Sequence, residues 1–136
     1  MSVLPAANVL LEVNGTLLPI GINRLIRMHW AVRKKEQLKF VEHIIQNNPE
    51  LRDYEYTNPV CVEYTRKSVR YMDWDNAAGS FKIIGDALVS LGVLPDDNPN
   101  IIKEFIVRQD KVRHRNEQGF NVVIRESFAL PGMRVE

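Results

Sequence analysis

The chain has 136 residues, 45% hydrophobic and 26% charged, enough for one folded domain with a real core but not for two independent ones. Lys and Arg number 18 against 17 Asp and Glu, a net charge of +1, so total charge does not announce a nucleic-acid binder. The longest apolar stretches, residues 7–11 and 83–94, are short or broken by Gly and Asp, which excludes a membrane span.

The first residues, Met1-Ser2-Val3-Leu4-Pro5, lack the basic region and long apolar core of a secretory leader, and a cytoplasmic location is expected. Residues 9–18 alternate well enough for a strand or for a hairpin, with Asn14-Gly15 as the candidate tight turn. Pro19, Gly21 and Asn23 then interrupt any ladder. From Trp30 to Asn47 the pattern is helical, with Leu38, Val41 and Ile45 on one stripe, and Asn48-Pro49 ends it. Residues 51–58 are polar and read as a loop.

Val60 to Tyr64 reads as a strand running on toward Lys67 and into the acidic segment. Its single cysteine, Cys61, reads as a buried, inert thiol. Between Ala77 and Leu91, Phe81, Ile84, Leu88 and Leu91 fall at i, i+3, i+7 and i+10, one helical stripe, with Gly92 closing the helix and Pro95 preventing its resumption. Residues 101–107 and 120–125 are two further strands, joined by a polar stretch that suits a hairpin. The order implies a small α+β fold: one domain over residues 1–136, its core at 9–126 and a tail at 127–136, with a mixed sheet and two main helices packed mainly on one face.

Two acidic pairs flank the second main helix: Asp73-Trp74-Asp75-Asn76 before it and Asp96-Asp97-Asn98 after it. In extended chain, Asp73 and Asp75 project to the same side. Each pair alone is ordinary, since carboxylates favour helix starts and Asp and Asn favour turns. Their conjunction around one helix points to a site for a hard divalent cation, which takes carboxylate oxygens, polarises a phosphoryl oxygen and supplies hydroxide near neutral pH. Lys82, the one basic residue of that helix, suits stabilisation of charge on a transferring phosphate. His29 and Trp30, beside Arg27 and Arg33, fit either a DNA contact or an ordinary helix start.

These residues resemble the RusA-type Holliday junction resolvases. The family pattern is Asp-x-Asp-Asn, a helix with a lysine and an Asp-Ala-Leu segment, a Gly-containing turn, and Asp-Asp. Here it reads Asp73-Trp74-Asp75-Asn76, Lys82, Asp86-Ala87-Leu88, Gly92 and Asp96-Asp97, with Asn23-Arg24 matching an earlier Asn-Arg pair. The resemblance covers about residues 9–126. The family lysine follows the second Asp by four residues, where this chain has Gly79; a three-residue insertion between Asn76 and Phe81, close to one helical turn, brings Lys82 into register.

The resemblance implies a RusA-like fold and a homodimeric endodeoxyribonuclease, with no small-molecule cofactor, that depends on Mg²⁺ (or Mn²⁺) and resolves four-way junctions and related branched DNA by paired symmetric nicks. Asp73, Asp75 and Asp97 would hold the metal, and Lys82 would complete the catalytic set. Asn23, Arg24, Arg27, Lys67, Arg70 and Asn76 are the expected DNA contacts. The rival expectation is a non-catalytic junction- or branched-DNA-binding protein on the same fold.

Overall fold

The computed structural model describes residues 9–127. The leader reading at residues 1–8 and the tail beyond Ser127 lie outside them. Four strands, β1 (Val9–Gly15), β2 (Val60–Ser68), β3 (Ile102–Lys111) and β4 (Gly119–Glu126), form one sheet in the order β1-β4-β2-β3. The helices are α1 (Ile22–Leu25), α2 (Trp30–Asn47), α3 (Trp74–Gly79) and α4 (Phe81–Ser90). This is the expected α+β fold with a mixed sheet: β2 runs parallel to β3 and antiparallel to β4, which is antiparallel to β1. Among the described residues no helix is long and apolar enough to cross a membrane.

The sheet's alternation decides where the helices sit. Val62, Tyr64 and Arg66 of β2 stand opposite Ile124, Val122 and Phe120 of β4, and all six are buried. Phe120 packs against Phe40 of α2, with ring centroids 6.2 Å apart, and Tyr64 packs against Phe81 of α4 at 5.3 Å. Both main helices therefore cover the same face. On the other face Glu63 of β2 is paired with Arg125 Nε at 2.8 Å and Arg108 Nη2 at 3.5 Å. Cys61 also lies there, buried, with its thiol pushed up to about 11 chiefly by desolvation, consistent with an inert side chain.

Of the strand or hairpin expected at residues 9–18 the structure has the strand: β1 ends at Gly15, and Asn48 at the end of α2 supplies what a returning strand would have supplied. Its side-chain amide accepts from Asn14 N–H at 3.2 Å and donates to Asn14 C=O at 2.9 Å. Strands β3 and β4 form no hairpin either, because β2, the most buried strand, lies between them and needs a neighbour on each side. The connection instead passes the end of β2, where Val112 N–H donates to Ser68 C=O at 2.9 Å. On α2 the predicted stripe holds in part: Val41 and Ile45 pack against the core, whereas Leu38 is exposed and the fully buried residues are Phe40 and Ile44, with Phe40 against Phe120.

Helix α4 ends as its sequence predicts. Gly92 has φ +79°, Val93 N–H donates to Leu88 C=O and Gly92 N–H to Val89 C=O, each at 3.0 Å, the Schellman arrangement that glycine permits at this position. The chain then turns back with Val93 and Leu94 fully buried.

His43 of α2 pins the end of β1. Its Nε2 accepts from Thr16 N–H at 2.8 Å and Leu17 N–H at 3.3 Å, which requires the neutral ring. Burial, with Lys39 adding to it, lowers its pKa from 6.5. The unfolded chain therefore takes up the proton first: the contribution is complete above pH 6.5, falls as pH drops through 6.5 toward the folded value, and is lost below that. His43→Ala is expected to cost about 1–2 kcal/mol of stability near neutral pH and to flatten the decline in melting temperature between about pH 7.5 and pH 5. An unchanged slope in the variant would remove His43 as its cause.

Candidate active site and basic loop

The acidic segment follows β2, but not as a strand end. Gln118 Oε1 accepts from Val69 N–H at 3.2 Å and from Ser68 Oγ at 3.3 Å, closing the ladder at Ser68. Gln109 of β3 then clasps Met72, accepting from its N–H at 3.0 Å and donating to its C=O at 2.9 Å. This sets Asp73 as the extended residue before α3, with Asp75 in the first turn of the helix. The two are thus related by a helix start rather than by strand alternation. Both are exposed, where their charge complements the amide dipoles of the turn.

The helix expected at residues 77–91 begins earlier and is divided at Ser80 into α3 and α4. Ser80 Oγ donates to Ala77 C=O and lies 2.6 Å from Tyr64 Oη. Most of α4 is buried, and Lys82 and Asp86 form its polar edge. Lys82 Nζ meets Asp86 Oδ1 at 2.9 Å and Asp97 Oδ2 at 3.6 Å. The hydrogen bond that Lys82 donates to Asp86, helped by the charge of both carboxylates and opposed by partial burial, raises the pKa of the ammonium above its ordinary value. Lys82 is therefore a standing cation and not a base.

Asp96 does turn chemistry: Oδ1 accepts from Asp97 N–H at 2.7 Å and Oδ2 from Asn98 Nδ2 at 2.9 Å. Asp97 faces α4, its Oδ2 lying 3.3 Å from where a Cβ on Gly85 would stand. Lys82 and Asp97 also line a largely apolar pocket of about 380 Å³ with Phe81, Phe105 and Ile22. Among the described residues no three His, Cys, Asp or Glu side chains form a group that could hold a metal ion. The structure brings Lys82 to Asp97; it does not gather Asp73, Asp75 and Asp97 into a ready three-ligand cage.

The predicted DNA contacts fall into separate places. Asn23, Arg24, Arg27 and Asn76 line one pocket at the Pro19-to-Arg27 loop, where Asn76 Oδ1 accepts from Asn23 N–H at 3.1 Å. Lys67 lines another recess with Tyr71 and Lys111, and by strand alternation it lies on the sheet face opposite Arg66. Arg70 is exposed beyond the end of β2. His29 caps α2 by accepting from Ala31 N–H at 3.2 Å, and Trp30 is 73% exposed, so it does not begin a buried helix face. Gln109 and Ser80 are positioning residues that no local pattern marks, and none marks the buried Arg66, whereas Asp86 is signalled by the Asp-Ala-Leu segment and by its i, i+4 spacing from Lys82.

No protein-family model matches the chain, and no curated protein is significantly similar to it.

Gly79, four residues after Asp75, packs against α1: a Cβ there would lie 2.4 Å from Ile22 Cβ. A lysine at that position has no room, and one helical turn later Lys82 reaches Asp97. Gly79→Ala is expected to cost about 1–3 kcal/mol in urea unfolding, through overpacking against Ile22, and Ile22→Ala in the same chain to recover part of that loss. Equal stability of Gly79→Ala and the parent would show that α1 yields freely.

Proposed function

We propose that this chain is a metal-dependent, structure-specific endodeoxyribonuclease that nicks four-way and related branched DNA. The observation that carries the reading is the approach of Lys82 to Asp97, 3.6 Å apart across a 15-residue separation, at the polar edge of α4, which follows directly on α3 with Asp73 and Asp75 at its start. The oxygen donors suit Mg²⁺ or Mn²⁺, and Mg²⁺ is ordinarily held by one or two carboxylates, with water and substrate phosphate completing its shell. Bound there, the ion would polarise the phosphoryl group and supply hydroxide.

The chain's own residues do the rest. Asp86 steers Lys82 toward Asp97, so its ammonium is already oriented when negative charge builds on the phosphoryl oxygens. Asn76 ties the basic loop to α3 and keeps the DNA-binding surface in register with the acidic residues. A two-fold homodimer would present identical sites to the two strands of a pseudo-symmetric junction.

The absence of a three-ligand group among the described residues favours a second reading, a junction-binding protein that does not cut. A labelled four-way junction with Mg²⁺ or Mn²⁺ separates the two. The nuclease yields paired nicks, Lys82→Ala slows them about 10²–10³-fold, and Asp75→Asn stops them while binding holds or tightens, because one phosphate-repelling charge is gone. Salt-sensitive binding with no cleavage in either cation would establish the second reading.

A further inference from the structure

Arg66 is the least expected residue of the fold. It stands on the helix-covered face of β2, only 6% exposed, and among the described residues it has no carboxylate partner. Its Nε donates to Pro19 C=O at 3.0 Å. Neither of its Nη groups is both sealed and unbonded, and the side chain lines a pocket of about 380 Å³, so the free end of the guanidinium opens into that space. Desolvation lowers its pKa, as burial of a cation without a counter-ion must.

Arg27 is held in the same way. Its Nε donates to Asn23 C=O at 2.9 Å, and it lines the same pocket, together with Arg24. Two guanidinium groups are thus tethered through Nε to carbonyls four residues apart, Pro19 in the loop and Asn23 in α1, leaving their paired Nη donors free. No Asp or Glu lines the pocket. Planar forks fixed at one end match two oxygens of a tetrahedral oxyanion, and Arg suits this task better than Lys. Asn76, one residue beyond Asp75, closes the same pocket, which places it beside the acidic pair.

We propose that Arg66, Arg27 and Arg24 form a receptor for one backbone phosphate of DNA, next to the phosphate presented to Asp73 and Asp75. The proposal rests on the DNA-processing reading for the source of the phosphate, while the oxyanion chemistry of the pocket stands without it. A buried cation with no counter-ion destabilises the free protein, and an arriving phosphate relieves that cost.

Binding measured without divalent cations tests the receptor apart from cleavage. Inorganic phosphate, titrated into the full chain against chloride of equal ionic strength, is expected to shift the Nε–Hε resonances of Arg66 and Arg27 saturably and to raise the melting temperature. Arg66→Lys keeps the charge and the reach to Pro19 but loses the fork. Arg27→Gln, at an exposed position, leaves the core alone. Each should abolish the phosphate-specific shift, weaken four-way-junction binding about tenfold, and lower the slope of log affinity against log salt by about 0.9. Phosphate and chloride acting alike would overturn the receptor. Phosphate binding with junction affinity indifferent to both variants would overturn DNA as its source. A working receptor on a protein that leaves the junction uncut in Mg²⁺ and Mn²⁺ would sink the nuclease reading alone.

Discussion

A single hydroxyl pair at the centre of the sheet sets the position of everything that bears on chemistry. Tyr64 is fully buried in the middle of β2, and an unsatisfied phenol there would cost about 1–3 kcal/mol. Ser80 has one proton and spends it on Ala77 C=O, which can only accept, so at 2.6 Å Tyr64 is the donor and Ser80 the acceptor. Burial pushes the phenol's pKa well up, and the donor stays protonated. Because β2 and β3 are parallel neighbours, the chain between them must cross over on helices. The Tyr64–Ser80 bond sets the height of that crossing, with Asp73 and Asp75 before it and Lys82 two residues after.

What was legible in the sequence was whatever a short segment decides for itself. The span of α2 and the stop at Gly92 follow from local periodicity and from glycine's tolerance of positive φ. Local signals fail where a distant residue takes over their role. Asn14-Gly15 carries a hairpin signal, yet Asn48, 34 residues away, satisfies Asn14 with its side-chain amide. The β3–β4 hairpin fails for the same kind of reason: β2 has Val60, Val62 and Tyr64 buried on one face and Cys61 and Glu63 on the other, and a strand so enclosed belongs in the sheet's interior.

The candidate residues stand out in the sequence, but their arrangement does not. The spacing singles out Asp73, Asp75, Lys82 and Asp97, whereas their geometry depends on Gln109 holding Met72 and on Ile22 occupying the space beside Gly79. Such contacts join segments dozens of residues apart and leave no periodic trace. Arg66 was hidden by its context: in a strand of buried residues, one basic residue among Arg66, Lys67 and Arg70 reads as solvated surface.

Sorting the cations by partner shows where a chain of net charge +1 keeps its positive charge. Arg108 and Arg125 are neutralised by Glu63 on the sheet face away from the helices, and Lys82 is held between Asp86 and Asp97. Arg24, Arg27 and Arg66 have no carboxylate partner among the described residues, and all three line one pocket. Neutralised charge contributes little to the field a ligand meets, whereas unneutralised charge in a concave, partly desolvated site is focused. The sum over the chain is therefore uninformative, and the distribution decides: Arg24, Arg27 and Arg66 share one concave site that no Asp or Glu lines.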